Sequence, residues 1–118
     1  MKVEVSIDTQ AADRNSVIST IAEEVGNGLK HYQTRLTRVE VHMRDINGPR
    51  SGIDHRCALE ARPSGLAPVA VTHEAANASD ALKGAISKMN KLLASTFGKL
   101  DQIDRVPVSS VAVDSAVE

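Results

Sequence analysis

The sequence predicts an α+β fold: a two-layer sandwich of order β-α-β-β-β-α, in which a four-stranded sheet carries both helices on one face. Three observations predict it. Four short segments alternate polar and apolar residues, two longer segments repeat apolar residues at helical spacing, and each strand segment has only one apolar face. Strands of that kind need a single covering layer of helices, and their other face is left to water.

Residues 2–7 alternate strictly, with Val3, Val5 and Ile7 on one side and Lys2, Glu4 and Ser6 on the other. Residues 14–32 change period. Val17, Ile18, Ile21, Ala22, Val25, Leu29 and Tyr32 fall on one arc of a helix, and Asp13 is placed to cap its start. Gly26 and Gly28 weaken the second half, by about 1 kcal/mol each relative to alanine. Alternation returns over residues 36–45, with Val39, Val41 and Met43 inward and Arg38, Glu40, His42 and Arg44 outward. Residues 46–54 contain Asn47-Gly48-Pro49 and Ser51-Gly52, which reads as a loop too long for a two-residue hairpin turn.

The third strand, residues 55–62, directs Cys57, Leu59 and Ala61 inward and Arg56, Ala58, Glu60 and Arg62 outward. A turn at Pro63-Ser64-Gly65 leads to a fourth strand over residues 68–73, with Val69 and Val71 inward. The second helix starts at Asn77 or Ser79 and runs to about Phe97, with Gly98 as its stop. Leu82, Ala85, Ile86, Met89, Leu93, Thr96 and Phe97 form its buried stripe, and Lys88, Lys91, Ser95 and Lys99 recur on another face. A right-handed crossover makes the first two strands parallel neighbours, and the remaining connections make an antiparallel meander. Residues 1–100 read as one domain. Residues 101–118 read as a flexible C-terminal tail, whose last stretch of serines, valines and small residues has no amphipathic period.

Composition narrows the function. At 118 residues, 42% hydrophobic and 25% charged, the chain fits one ordinary globular domain with a single core. No apolar run is long enough to span a membrane, and the alternating start lacks the apolar centre of a signal peptide, so a cytoplasmic location is expected. One cysteine, Cys57, excludes an internal disulfide and a thiolate zinc cage. Tyr32 and Phe97 are the only aromatic residues, which disfavours a nucleic-acid module that stacks bases on aromatic platforms. A net charge of −1 argues against indiscriminate polyanion binding. Yet residues 29–62 and 83–105 each carry a net charge of +3 between acidic stretches, the distribution that a localised basic patch requires.

No constellation of residues in the sequence survives as a catalytic site. There is no glycine-rich phosphate loop and no nucleophile elbow. His42, His55 and His73 have no ligand spacing and read as strand-surface histidines. Cys57 beside Arg56 has the look of an activated thiol, but its inward register makes it a small core residue. Asp45 and Asp54 flank a glycine-containing loop and read as turn formers rather than an acid–base pair. No catalytic residue, metal site, cofactor or small-molecule substrate is expected. On the outward sheet face Glu40 and Glu60 read as members of cross-strand ion pairs. The arginines there fit either ion pairing or the bidentate grip of phosphate.

The run Thr37-Arg38-Val39-Glu40-Val41-His42-Met43 is followed by Asp45, Asn47-Gly48, Arg56-Cys57, Leu59-Glu60-Ala61-Arg62-Pro63 and Val69-Ala70-Val71-Thr72. The second helix adds Ala81, Gly84-Ala85, Lys88, Lys91-Leu92-Leu93 and Gly98-Lys99-Leu100. Together these residues resemble the ribosome hibernation-promoting factors, the family also called ribosome-associated inhibitor or sigma-factor modulation proteins. The resemblance covers about residues 1–100 and is a pattern across a whole domain rather than a sharp motif. It implies the β-α-β-β-β-α fold and binding to the small ribosomal subunit, in the decoding channel where messenger and transfer RNA would pass. It implies also that basic helix residues contact ribosomal RNA phosphates. Lys88 and Lys91 match the family's basic positions on the second helix, and Lys99 is a weaker match. The first helix lacks the family's lysines, and only Lys30 and His31 stand near its end. Long members carry a second, dimerising domain; the chain reads as a short form without one.

The spacing of Lys88, Lys91 and Lys99 puts them on one side of the helix, away from the apolar stripe, with Lys30 and Arg35 extending the row where the first helix ends. The leading expectation is therefore an RNA-contacting translation inhibitor that is not an enzyme. One rival is a protein-interaction module that uses the charged open sheet face. Another is a small enzyme with a site assembled from scattered residues, which needs a concave pocket with convergent polar groups.

Overall fold

The computed structural model describes residues 1–8, 14–45 and 55–105, with side chains as far as residue 99. Its elements run β1 (Lys2–Ile7), α1 (Arg14–Gly28), a 3-10 turn (Lys30–Tyr32), β2 (Leu36–Asp45), β3 (His55–Pro63), β4 (Val69–Ala75) and α2 (Ala78–Arg105). The sheet order is β1-β2-β3-β4, with β1 parallel to β2 and the other pairs antiparallel. This is the α+β two-layer arrangement that the crossover and meander require.

Register divides the sheet into two faces. Val5, Val41, Leu59 and Val71 lie in one row across the four strands, on the side covered by the helices. α1 packs on β1, α2 packs on β3 and β4, and the helices touch each other. Val25 and Leu29 from the α1 end, Val39, Val41 and Leu59 from the sheet, and Leu82, Met89 and Leu93 from α2 are buried in one core. Burial of each such side chain is worth roughly 1.5–3 kcal/mol, which is what holds two otherwise amphipathic layers together. The helical stripes expected from the sequence lie in this core or pack half-buried against it, joined by Ala81.

Several boundaries differ from the sequence reading, each for a local reason. The first helix does not reach Tyr32: it ends at Gly28, and Leu29, with φ −110° and ψ 14°, leads into the 3-10 turn. Asn90 on α2 donates to the Gly28 carbonyl at 2.9 Å, so α1's terminal acceptor is satisfied from the neighbouring helix. Asn77, not Ser79, caps α2: its Oδ1 accepts from the Asp80 amide at 2.8 Å while its Nδ2 donates to the Asp80 carboxylate at 3.2 Å.

Gly98 does not stop α2, which continues to Arg105 into the stretch read as tail. Gly98 is exposed with no packing neighbour, so it costs the helix only its intrinsic propensity. β3 extends to Pro63 and β4 spans Val69–Ala75. Between them the Leu66 amide donates to the Pro63 carbonyl at 3.2 Å, and Gly65, with φ 79°, supplies the left-handed residue of a tight turn. Asp13, the loop 46–54 and residues 106–118 lie outside the described residues.

Candidate nucleic-acid interface

α2 supplies the basic surface. Among its described side chains, Asp80 is the only acid, and Asp80 is engaged in the cap. Lys83, Lys88, Lys91 and Lys99 are all exposed, and none has a carboxylate partner among the described residues. At about 100° per residue, Lys88, Lys91 and Lys99 fall within roughly 80° of one another. Two contacts show which way this flank faces. Lys88 donates to the Thr72 carbonyl on β4 at 2.8 Å, leaving its charge in solvent. One turn earlier, Gly84 approaches the His73 ring so closely that a Cβ there would stand 2.0 Å from it. The lysine flank therefore borders β4, the edge strand. The opposite flank, with Ile86 and Asn90, meets α1 at Gly28.

Lys30 and Arg35 do not extend this row. Arg35 is half-buried, its guanidinium 4.0 Å from the centre of the Phe97 ring, and Phe97 lies on the far side of α2 from Lys88 and Lys99. Lys30 is exposed on the 3-10 turn, whose Tyr32 stacks on the same Phe97 with ring centres 5.5 Å apart. The five basic residues thus separate into two groups, one on the β4 flank of α2 and one at the junction after α1. The sequence signal for this division was Phe97 itself, a stripe residue that had to be covered.

The open sheet face is arranged otherwise. Its register makes rows of like charge: Lys2, Arg38 and Arg62 in one, Glu4, Glu40 and Glu60 in the next. Like charges directly opposite one another repel, and the pairing runs between rows instead. Arg38 hydrogen-bonds Glu4 across the β1–β2 pair and meets Glu40 at 3.1 Å, while Lys2 reaches Glu4 at 3.4 Å. The Arg38 guanidinium holds the Glu4 carboxyl below its ordinary value. Arg56 joins Glu74 at 2.6 Å across β3–β4. Glu40 pairs as expected; Glu60 has no ion pair among the described residues. Arg44 and Arg62 are exposed there and likewise unpaired among the described residues.

The histidines are dispersed. His42 lies 3.4 Å from Glu40, and His55 lies 3.0 Å from Asp45 at the end of the β2–β3 ladder. His73 is not a surface histidine: it faces inward opposite Cys57 and is half-buried under α2. No group of three potential metal ligands occurs among the described residues. Cys57 is buried, and burial pushes its thiol up to about 12.

Two clefts of about 270 and 320 Å³ share Val17, Ile21, Met43 and Ala78 between α1 and the start of α2. The first brings in Asp8, Asp45 and His55, but no hydroxyl or thiol among its described lining residues. No helix among the described residues is long and apolar enough to cross a membrane. No family model matches the chain, and no curated protein matches it.

Proposed function

We propose that this protein binds the small ribosomal subunit through its ribosomal RNA, in the channel that takes messenger and transfer RNA, and silences translation by occupancy rather than catalysis. Such a protein acts in the cytoplasm. The reading rests on the resemblance to the ribosome hibernation-promoting factors. The single observation that carries it is the row of exposed α2 lysines, which have no carboxylate partner among the described residues. Lysine is a flexible point charge, suited to gripping a phosphate backbone without reading bases. The open sheet face, the alternative docking surface, neutralises much of its own charge in ion pairs.

Co-sedimentation with purified small subunits over a salt series tests this. The parent should bind with steep salt dependence. The Lys88→Ala/Lys91→Ala variant should fold normally, bind at least tenfold more weakly at low salt, and lose about two units of log–log salt slope, roughly one per phosphate contact. A folded variant that binds like the parent with the same slope moves the RNA surface elsewhere, first to Arg44 and Arg62 on the sheet. A parent that does not bind at low salt removes the ribosomal reading.

A further inference from the structure

The register places Ile7, Met43, Cys57 and His73 in one row across the sheet, on the side that the helices cover. Three of these side chains end in a metal-binding group, and each comes from a different strand: a thioether, a thiol and an imidazole. Cys57 stands between the other two, and same-face neighbours on adjacent strands have Cβ atoms only about 4.5–5.5 Å apart. Met43 is 6% exposed, Cys57 is fully buried and His73 is half-buried. The His73 ring has no hydrogen-bond partner among the described residues, although an imidazole that far from water ordinarily finds one. Histidine, cysteine and carboxylate groups form no trio among the described residues; in this row the third donor is a thioether. We propose that Met43, Cys57 and His73 form a binding site for one soft monovalent cation, Cu(I), held over the Cys57 sulfur with the thioether on one side and the imidazole on the other.

The site is independent of the RNA-binding reading. Softness and charge together select the ion. Thioether and thiolate sulfur favour Cu(I) over hard cations such as Mg²⁺ and Ca²⁺. On binding, the Cys57 S–H bond breaks, the S–Cu bond forms and the proton leaves to solvent. One thiolate with one Cu(I) is then a neutral unit, which an apolar core tolerates. Zn²⁺ at the same place leaves a net positive charge, and no polar or charged residue is fully buried among the described residues to cancel it. Burial pushes the Cys57 thiol up to about 12, so weakly thiophilic ions do not displace its proton. The row is reached from both ends. Met43 lines both clefts between α1 and the start of α2, and His73 keeps part of its surface in water at the β4 edge. Gly84 leaves the His73 ring the space that a Cβ would fill.

Anaerobic titration of the whole chain with Cu(I), against a colorimetric Cu(I) chelator as competitor, tests this. The parent should take up one Cu(I) per chain, release about one proton, gain thiolate-to-copper absorption in the ultraviolet, and melt at a higher temperature with the ion than without it. Cys57→Ala should lose all four signals. Met43→Leu, which nearly conserves volume, and His73→Gln should each keep the fold and weaken binding by at least about tenfold. A parent that takes no Cu(I) from the competitor overturns the inference, as does a Cys57→Ala variant that binds like the parent. Undiminished affinity in folded Met43→Leu or His73→Gln also overturns it, because the thiol would then act without the site. If Cys57→Ala does not fold, the other two variants carry the comparison.

Discussion

The open sheet face and the β4 flank of α2 both carry several cations, and they dispose of that charge in opposite ways. On the sheet, register sets a basic row beside a glutamate row, so Arg38 serves Glu4 and Glu40 together and Arg56 serves Glu74. On α2 the one acid among the described side chains is engaged at the N-cap, and the lysines that follow face solvent without a carboxylate partner among the described residues. Exposed ion pairs add little to stability, typically under about 1 kcal/mol each, but they cancel the field that a polyanion would feel. A count of basic residues ranks the sheet face above the α2 flank; the positions of the described carboxylates reverse that order.

The strongest way to break the contrast is to unseat α2. Gly84→Ala would put a Cβ against the His73 ring, including its Cγ at 2.5 Å, where the side chain has little room to give. It should cost about 2 kcal/mol despite the better helix propensity of alanine, and lower the melting temperature by roughly 10 °C. Adding His73→Ala should recover most of the loss; failure to do so in thermal melts would mean that β4 and α2 are held apart by something else.

A smaller effect sharpens the sheet side. Because Arg38 lowers the folded-state pKa of Glu4, the stabilisation of the pair is complete above the ordinary value of 4.5 and disappears as pH falls through the lowered one. Arg38→Gln should therefore lower the melting temperature slightly at neutral pH. The gap to the parent should close in acid, and a gap that widens in acid would contradict the assigned pairing.

Smallest of all is Gly98→Ala. With no neighbour near its Cβ, the substitution should stabilise α2 by up to about 1 kcal/mol, without altering ribosome association. A destabilised variant in the same melts would show that the helix needs glycine there after all.

Alternation and helical spacing made the architecture legible, since one apolar face per strand leaves few ways to build a core. What escaped the sequence depends on partners distant along the chain. Leu36 has the parity of the outward residues, yet it is buried. The register shifts at Thr37, whose hydroxyl donates to the Arg62 carbonyl at 3.0 Å, and the extra residue turns Leu36 toward the core opposite Pro63. His73 shares the inward parity of Val69 and Val71, so alternation pointed it toward the core; reading it as a surface residue followed its polar type, and Gly84 is what lets a helix backbone descend onto it. Of the candidate site, the grouping of Lys88, Lys91 and Lys99 followed from spacing alone. The removal of Arg35 from that row followed from a stacking partner 62 residues away.

The parallel pairing of β1 with β2 has a consequence for the newborn chain. The three-stranded meander joins segments that leave the ribosome one after another, and each strand meets its neighbour almost as soon as both exist. Of the four strands β1 emerges first, but Lys2 finds its partner only at Arg38, and no other strand among the described residues flanks it. The crossover through α1 has to be completed before that edge can close, which places β1 among the non-local contacts that are slowest to form. Its alternation of Lys2, Glu4 and Ser6 with Val3, Val5 and Ile7 keeps the waiting segment half polar, and a half-polar strand is poor material for pairing with a neighbouring nascent chain.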